Sequence, residues 1–222
     1  MARILAIDTT CEFGSVALLD NGRLAEESLL HSPDGFGHIL FPHLERMLAR
    51  HSCALDDIEC FAAAAGPGSF TGVRVGLAAV KGLAEATAKR VVAVSNLKAL
   101  AWHGVASRRA VLADARRGQI YGAVYDDSLE LIQPEMVTPF PAWLAALPEG
   151  ELELIASDWT PFQPSLAGSR FAEAALRQAP RALAQAVGRI AADRYARGLA
   201  EDPAAIDANY VRRSDAELFW KE

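Results

Sequence analysis

The chain has 222 residues, 51% of them hydrophobic and 23% charged, which suffices for a buried core and is too apolar for intrinsic disorder. Basic minus acidic residues give 22 − 28 = −6, a poor balance for gripping a phosphate backbone unaided, so a nucleic-acid role calls for a partner. Three cysteines, Cys11, Cys53 and Cys60, with no C-x-x-C pair argue against a disulfide framework and a structural zinc site, and no run approaches the ~18 apolar residues of a membrane span.

In chain order, residues 4–7 form a short apolar run that reads as a buried strand ending at Asp8-Thr9-Thr10. The run is too short for a signal peptide and is broken by Asp8, so a cytoplasmic chain is expected. Two further strands, 15–19 and 24–30, flank Asp20-Asn21-Gly22, and Asn-Gly is a hairpin signal because both turn positions need positive φ. A helix follows over 38–51, with Leu40, Phe41, Leu44, Met47 and Leu48 sharing one face. Residues 60–65 read as a strand closed by Gly66-Pro67-Gly68, 73–89 as a long helix, 90–95 as a valine-rich strand and 96–106 as a helix. Strand, crossover helix and strand imply parallel pairing.

The second half opens like the first. Residues 111–114 resemble 5–8 in type, and Asp114 to Asp126 spans 12 positions, as Asp8 to Asp20 does. This reads either as an internal duplication or as coincidence. Helices are expected over 171–178 and 181–199, before a tail from 203 to 213.

Gly66-Pro67-Gly68-Ser69-Phe70-Thr71-Gly72 is the most informative stretch. Glycines at a helix N-terminus can cradle an anion, and the alternative is a tight strand-to-helix turn with Ser69 or Thr71 as N-cap. It is not a Walker A loop, since Lys81 lies nine residues past Gly72, nor a nucleophile elbow, since Phe70 takes the central position. Asp8-Thr9-Thr10 reads either as a phosphate- or metal-contacting turn or as a self-capped one. His38 and His43 lie ~140° apart on a helix, too far round to share a metal. No metal site and no catalytic residue is expected. The pairs Arg108-Arg109, Arg116-Arg117 and Arg212-Arg213 could grip phosphates or lie solvated, and Tyr210, Phe219 and Trp220 could stack bases or pin a tail.

Residues 66–76, GPGSFTGVRVG, together with Ile4 to Thr10, Ser15 to Leu18, Val92 to Leu97, Asp114-Ala115-Arg116 and Asn209 to Arg212, resemble the TsaB family of bacterial tRNA threonylcarbamoyladenosine biosynthesis proteins. The resemblance is close to about residue 125 and looser beyond. It implies an α/β fold of two ribonuclease-H-like lobes in the actin-like ATPase architecture, each a mixed sheet with flanking helices, placed here at 1–105 and 106–222. It also implies a non-catalytic scaffold that pairs with a paralogue, TsaD, which carries the metal and transfers the threonylcarbamoyl group. TsaE, an ATPase, joins them. ATP is then used by the complex rather than bound stoichiometrically by this chain, tRNA is met only through the complex, the chain alone forms a homodimer, and no membrane is involved. Degenerate nucleotide or phosphate contacts fall on Asp8, Thr9, Thr10, Gly66, Gly68 and Ser69. One departure is Phe36, six residues ahead of Pro42, where members often carry a histidine. An actin-like small-molecule kinase is the alternative, and a peptidase ranks third.

On a wheel, Arg74, Lys81, Glu85 and Lys89 occupy one ~80° arc of the 73–89 helix, and the remainder is apolar or small. That exceeds what one sheet needs, and the surplus reads as burial under the second lobe, as exposed alanines or as a partner interface, the last assigned to Leu40, Leu44, Met47, Phe70, Thr71, Val73, Gly76, Leu77, Ala79 and Val80. Leu77 and Ala79 stand ~160° apart, so one is expected to face the sheet and the other the partner.

Overall fold

A computed structural model describes residues 2–212, and the chain divides into two compact units. Of the described residues, unit 1 comprises 2–96 and 181–209, and unit 2 comprises 97–180 and 210–212.

In unit 1, β1 (Arg3–Asp8), β2 (Phe13–Asp20) and β3 (Arg23–His31) form an antiparallel meander. Its second turn is set by Asn21 and Gly22 at φ 52° and 71°, the left-handed pair that a two-residue hairpin needs. β4 (Cys60–Ala64) joins β1 in parallel, and β5 (Arg90–Val94) joins β4, giving the order β3-β2-β1-β4-β5. The central strands are buried on both faces, which is why they read as unbroken apolar runs.

Alternation sorts their side chains. Leu5, Ile7, Phe61 and Ala63 join one core with the buried face of α1 (Leu40–Arg50) and with α2 (Phe70–Thr87). Ala6 and Leu19 meet α6 (Ala184–Ala196), where a Cβ on Gly188 would lie 2.3 Å from Leu19 and 3.3 Å from Ala6. A larger residue there would have to displace the Leu19 side chain. Phe41, expected on the buried face of α1, is instead 50% exposed, because the stripe narrows to Leu40, Leu44, Met47 and Leu48. Phe36 is buried against Gly14, so this position fills the core rather than offering a polar group.

Unit 2 repeats the ladder. β6 (Arg108–Asp114), β7 (Gln119–Asp126) and β8 (Leu131–Pro139) are an antiparallel meander; β9 (Glu153–Ala156) and β10 (Ala175–Gln178) add in parallel. The order β10-β9-β6-β7-β8 is that of unit 1 strand for strand, so the repeat of Asp8 and Asp20 by Asp114 and Asp126 marks equivalent strand ends. The core holds Leu112, Val124, Trp143, Leu154 and Phe162, with α4 (Phe140–Ala146) and α5 (Gln163–Ala167) contributing. α3 (Asn96–Ala101) begins at the end of unit 1.

Two expectations are corrected. Residues 171–178 are not a helix: Ala175 to Gln178 pair with Glu153 to Ala156, and Arg177 also binds the Glu153 carboxylate. Helix propensity over a few residues is a weak preference, and here the backbone hydrogen bonds of pairing with β9 take its place. The lobes do not divide at 105/106 either. The crossing comes after Asn96, and residues 181–209 return to unit 1, where α6 packs on β1, β2, β4 and β5. Burial of α6's Val187, Ile190 and Ala191 requires that sheet face, which sequence order hides.

Candidate functional site

The glycine block lies between β4 and α2, directly against the turn that follows β1. Ser69 N donates to Thr10 O at 2.6 Å, and Thr9 Oγ1 donates to Gly72 O at 2.7 Å. Ser69 is the N-cap of α2: its Oγ accepts from Gly72 N at 3.3 Å, and its carbonyl accepts from Val73 N. The glycines are required by this contact. A Cβ would stand 2.5 Å from Thr10 O at Gly68, 2.0 Å from Thr9 O at Gly72 and 2.7 Å from Thr9 Oγ1 at Gly76. Gly66 has φ 101°, a conformation that side chains rarely adopt.

The approach that an anion cradle keeps for a phosphate is thus taken by the Thr9 and Thr10 carbonyls. Oxygens carrying partial negative charge now face the loop, and two of the N–H groups at the helix start are engaged. These residues do not fit a nucleotide phosphate at this loop. Of the six positions expected to contact phosphate, the fold brings all together, but as a packed joint.

Asp8 ends β1 and is fully buried. Its Oδ1 accepts from Thr10 N (2.9 Å) and Thr10 Oγ1 (2.6 Å), while Oδ2 has no partner among the described residues. Desolvation pushes its pKa up, against those hydrogen bonds, which pull it down. Cys11 is exposed as a residue, yet desolvation of its thiol, then the Asp8 carboxylate, pushes its pKa up to about 12. It is no nucleophile at neutral pH.

Asn96 was not expected as a site residue. Its Nδ2 donates to Thr10 Oγ1, its Oδ1 accepts from Gly66 N at 2.8 Å, and its backbone N–H donates to Gly66 O. One side chain therefore ties both loops. Ser15 is the other unexpected polar residue. Its Oγ accepts from Leu183 N and Ala184 N, capping α6 across 168 and 169 positions, and Glu27 accepts from Gln185 N. A partner that distant leaves no local sequence signal.

The expected partner interface needs correction. Leu40, Leu44, Met47, Val73, Gly76, Leu77, Ala79 and Val80 are all buried within unit 1. Leu77 and Ala79, at 5% and 6% exposure, both join the core that includes α1's buried face, so a helix sunk between sheet and core covers a wider arc than a sheet alone would. Of the ten, Phe70 and Thr71 are exposed; they share the outer side of α2 with Arg74, Ala78 and Gly82. Arg74 lies over the Phe70 ring at 3.7 Å.

The basic pairs are held internally in the main. Arg109 is buried and donates to Ala101 O and Ala106 O; Arg108 reaches Glu149 O. Arg212 donates to Ala115 O and the Gln119 side chain. Tyr210 is exposed, while Arg213, Phe219 and Trp220 lie outside the described residues. Asp114, the counterpart of Asp8, is exposed and caps its own turn through Arg116 N. Among the described residues no three His, Cys, Asp or Glu side chains gather to hold a metal ion, and no helix is long and apolar enough to cross a membrane.

Residues 35–177 match the family model of TsaD, tRNA N6-adenosine threonylcarbamoyltransferase, which is more than half of the chain. The chain belongs to this family. Within the TsaD family its likeness runs to the TsaB proteins. It is 35% identical over 149 residues to the tRNA threonylcarbamoyladenosine biosynthesis protein TsaB of Escherichia coli, covering 61% of this chain and 64% of that one. It is 34% identical over 119 residues to the threonylcarbamoyltransferase of Novosphingobium aromaticivorans, covering 44% and 34%. The chain spans less than two thirds of the length of these relatives. A solved structure, YeaZ from Pseudomonas aeruginosa, superposes with a TM-score of 0.79 at 29% identity, covering 95% of this chain and all of that one. The expected two mixed sheets with flanking helices are present, five strands in each.

Proposed function

We propose that this chain is a non-catalytic subunit of the machinery that forms threonylcarbamoyladenosine beside the anticodon of tRNA, supporting a TsaD-type transferase. The observation that carries the reading is the closed glycine block, where the Thr9 and Thr10 carbonyls occupy the approach a phosphate would need. A chain with its phosphate loop filled contributes surface rather than turnover. The same closure weighs against the small-molecule kinase, and the inert Cys11 and absent nucleophile elbow weigh against a peptidase.

In this reading the transferase holds the metal, a TsaE-type ATPase uses the ATP, and tRNA meets the chain only within the assembly. The −6 charge supports that division, since an acidic chain attracts no phosphate backbone by itself. Partner contact falls on the outer side of α2, at Phe70, Thr71, Arg74, Ala78 and Gly82, where small residues let another helix come close. The same side serves a homodimer when the chain is alone.

Reconstitution tests the reading. With transferase, ATPase, tRNA and threonylcarbamoyl-adenylate present, modification is expected to need this chain, and the chain alone to hydrolyse no ATP. Full activity without it, or ATP turnover by the purified chain that Asp8→Ala abolishes, would overturn the reading.

A further inference from the structure

A second feature of unit 1 lies apart from the glycine block. The end of β3 and the start of α1 border a groove of about 420 Å³, within the size range of small-molecule sites. Its lining combines the apolar Leu29, Leu30, Ile39 and Pro42 with the polar His31, His38, His43 and Arg46. Three of the chain's five histidines converge here, and no carboxylate lines the groove, although the chain carries six more acidic than basic residues.

The polar groups are also oriented. Arg46 Nη2 lies 3.0 Å from His43 Nδ1. A guanidinium only donates, so Nδ1 accepts and the His43 proton sits on Nε2. Desolvation first, then Arg46 and Arg50, pushes the His43 pKa down, against the Glu26 carboxylate, which pulls it up. His31 is held by stacking on Phe13 at 4.7 Å, whose ring also meets Arg181 at 4.5 Å. The nearby Glu26 carboxylate is taken by Arg50 and His51, so it does not neutralise Arg46. His38 and Arg46 have no ion-pair partner among the described residues.

We propose that this groove binds a small organic anion. Its phosphate or carboxylate head meets Arg46, His38 and His43, and its apolar or planar body lies on Leu29, Leu30, Ile39 and Pro42. The Arg46 guanidinium and the imidazole N–H donors, beside apolar side chains, fit that class and not a cationic ligand.

Phenyl phosphate and benzoate are the probes, with inorganic phosphate and phenol as half-probes, titrated into the full chain by calorimetry and by NMR of the histidine imidazoles. At least one of the two probes is expected to saturate with a Kd of about 1 mM or below, about tenfold tighter than either half-probe, and to shift His31, His38 and His43. The tighter of the two identifies the head group. Arg46→Ala and His38→Ala, both at exposed positions, are each expected to weaken binding about fivefold or more at unchanged melting temperature, whereas Arg197→Ala, at the C-cap of α6, leaves it unaltered. No saturable binding by either probe up to about 10 mM, or saturable binding that leaves the imidazole signals and both variants untouched, overturns the proposal.

Discussion

Gly72→Ala isolates the joint between the β1 turn and α2. An alanine Cβ would lie 2.0 Å from the Thr9 carbonyl oxygen, whereas carbon and oxygen approach to about 3.3 Å. The turn must therefore retreat by roughly 1.3 Å. That movement strains the Thr9 Oγ1 bond to Gly72 O (2.7 Å) and the Ser69 N bond to Thr10 O (2.6 Å). Overpacking costs about 1–3 kcal/mol, and each disrupted hydrogen bond about 1 kcal/mol. Replacing glycine in a helix returns at most about 1 kcal/mol, which leaves a net loss of about 2–4 kcal/mol. Gly82→Ala on the same helix is the control: nothing lies within 4 Å of its Cβ position, so it is expected to be neutral or to stabilise by up to about 1 kcal/mol. Chemical denaturation with thermal melting of both variants reads the difference. Gly72→Ala as stable as the parent, or equal losses in the two variants, would refute the closed joint.

Two further outcomes follow from burial. Because folding raises the Asp8 pKa, the folded state holds that proton more tightly, so the contribution of Asp8 is most favourable below 3.8 and is lost as pH rises through the raised value. Asp8→Asn keeps the Thr10 hydrogen bonds to Oδ1 and is expected to lose that component of the stability–pH profile; parallel profiles for the two proteins would contradict it. Leu77→Arg and Ala79→Arg are both expected to unfold or strongly destabilise the chain, since each would place a charge in the core. Ala78→Arg, on the exposed side of α2, is expected to keep its melting temperature and lose pull-down of the transferase. A folded Ala79→Arg, or an Ala78→Arg that still binds, would show that the outer face is wrongly placed.

Local chemistry explains what could be read from the residues. The Asn21-Gly22 hairpin was legible because two left-handed positions are a local demand, and the doubly buried strands were legible as apolar runs. The glycine block was recognisable, but its state was not. Whether Gly68 and Gly72 leave room for a phosphate or for a backbone carbonyl depends on Thr9 and Thr10, some sixty residues earlier. Asn96, Ser15 and Gly188 were silent for the same reason: each acts on a segment far away in the chain. Residues 171–178 misled because helical composition in so short a piece yields to pairing with β9. The α2 wheel gave the charged arc correctly, and Arg74 and Glu85 are exposed, but it could not show that the core extends beyond the sheet to cover Ala79.

Nucleoside mass spectrometry of bulk tRNA after depletion of this protein in its native host tests the central claim most directly. Threonylcarbamoyladenosine is expected to fall, and to return when the chain is re-expressed, with the peptide pool and free nucleotide turnover unaltered. Modification at its normal level in depleted cells would contradict the account.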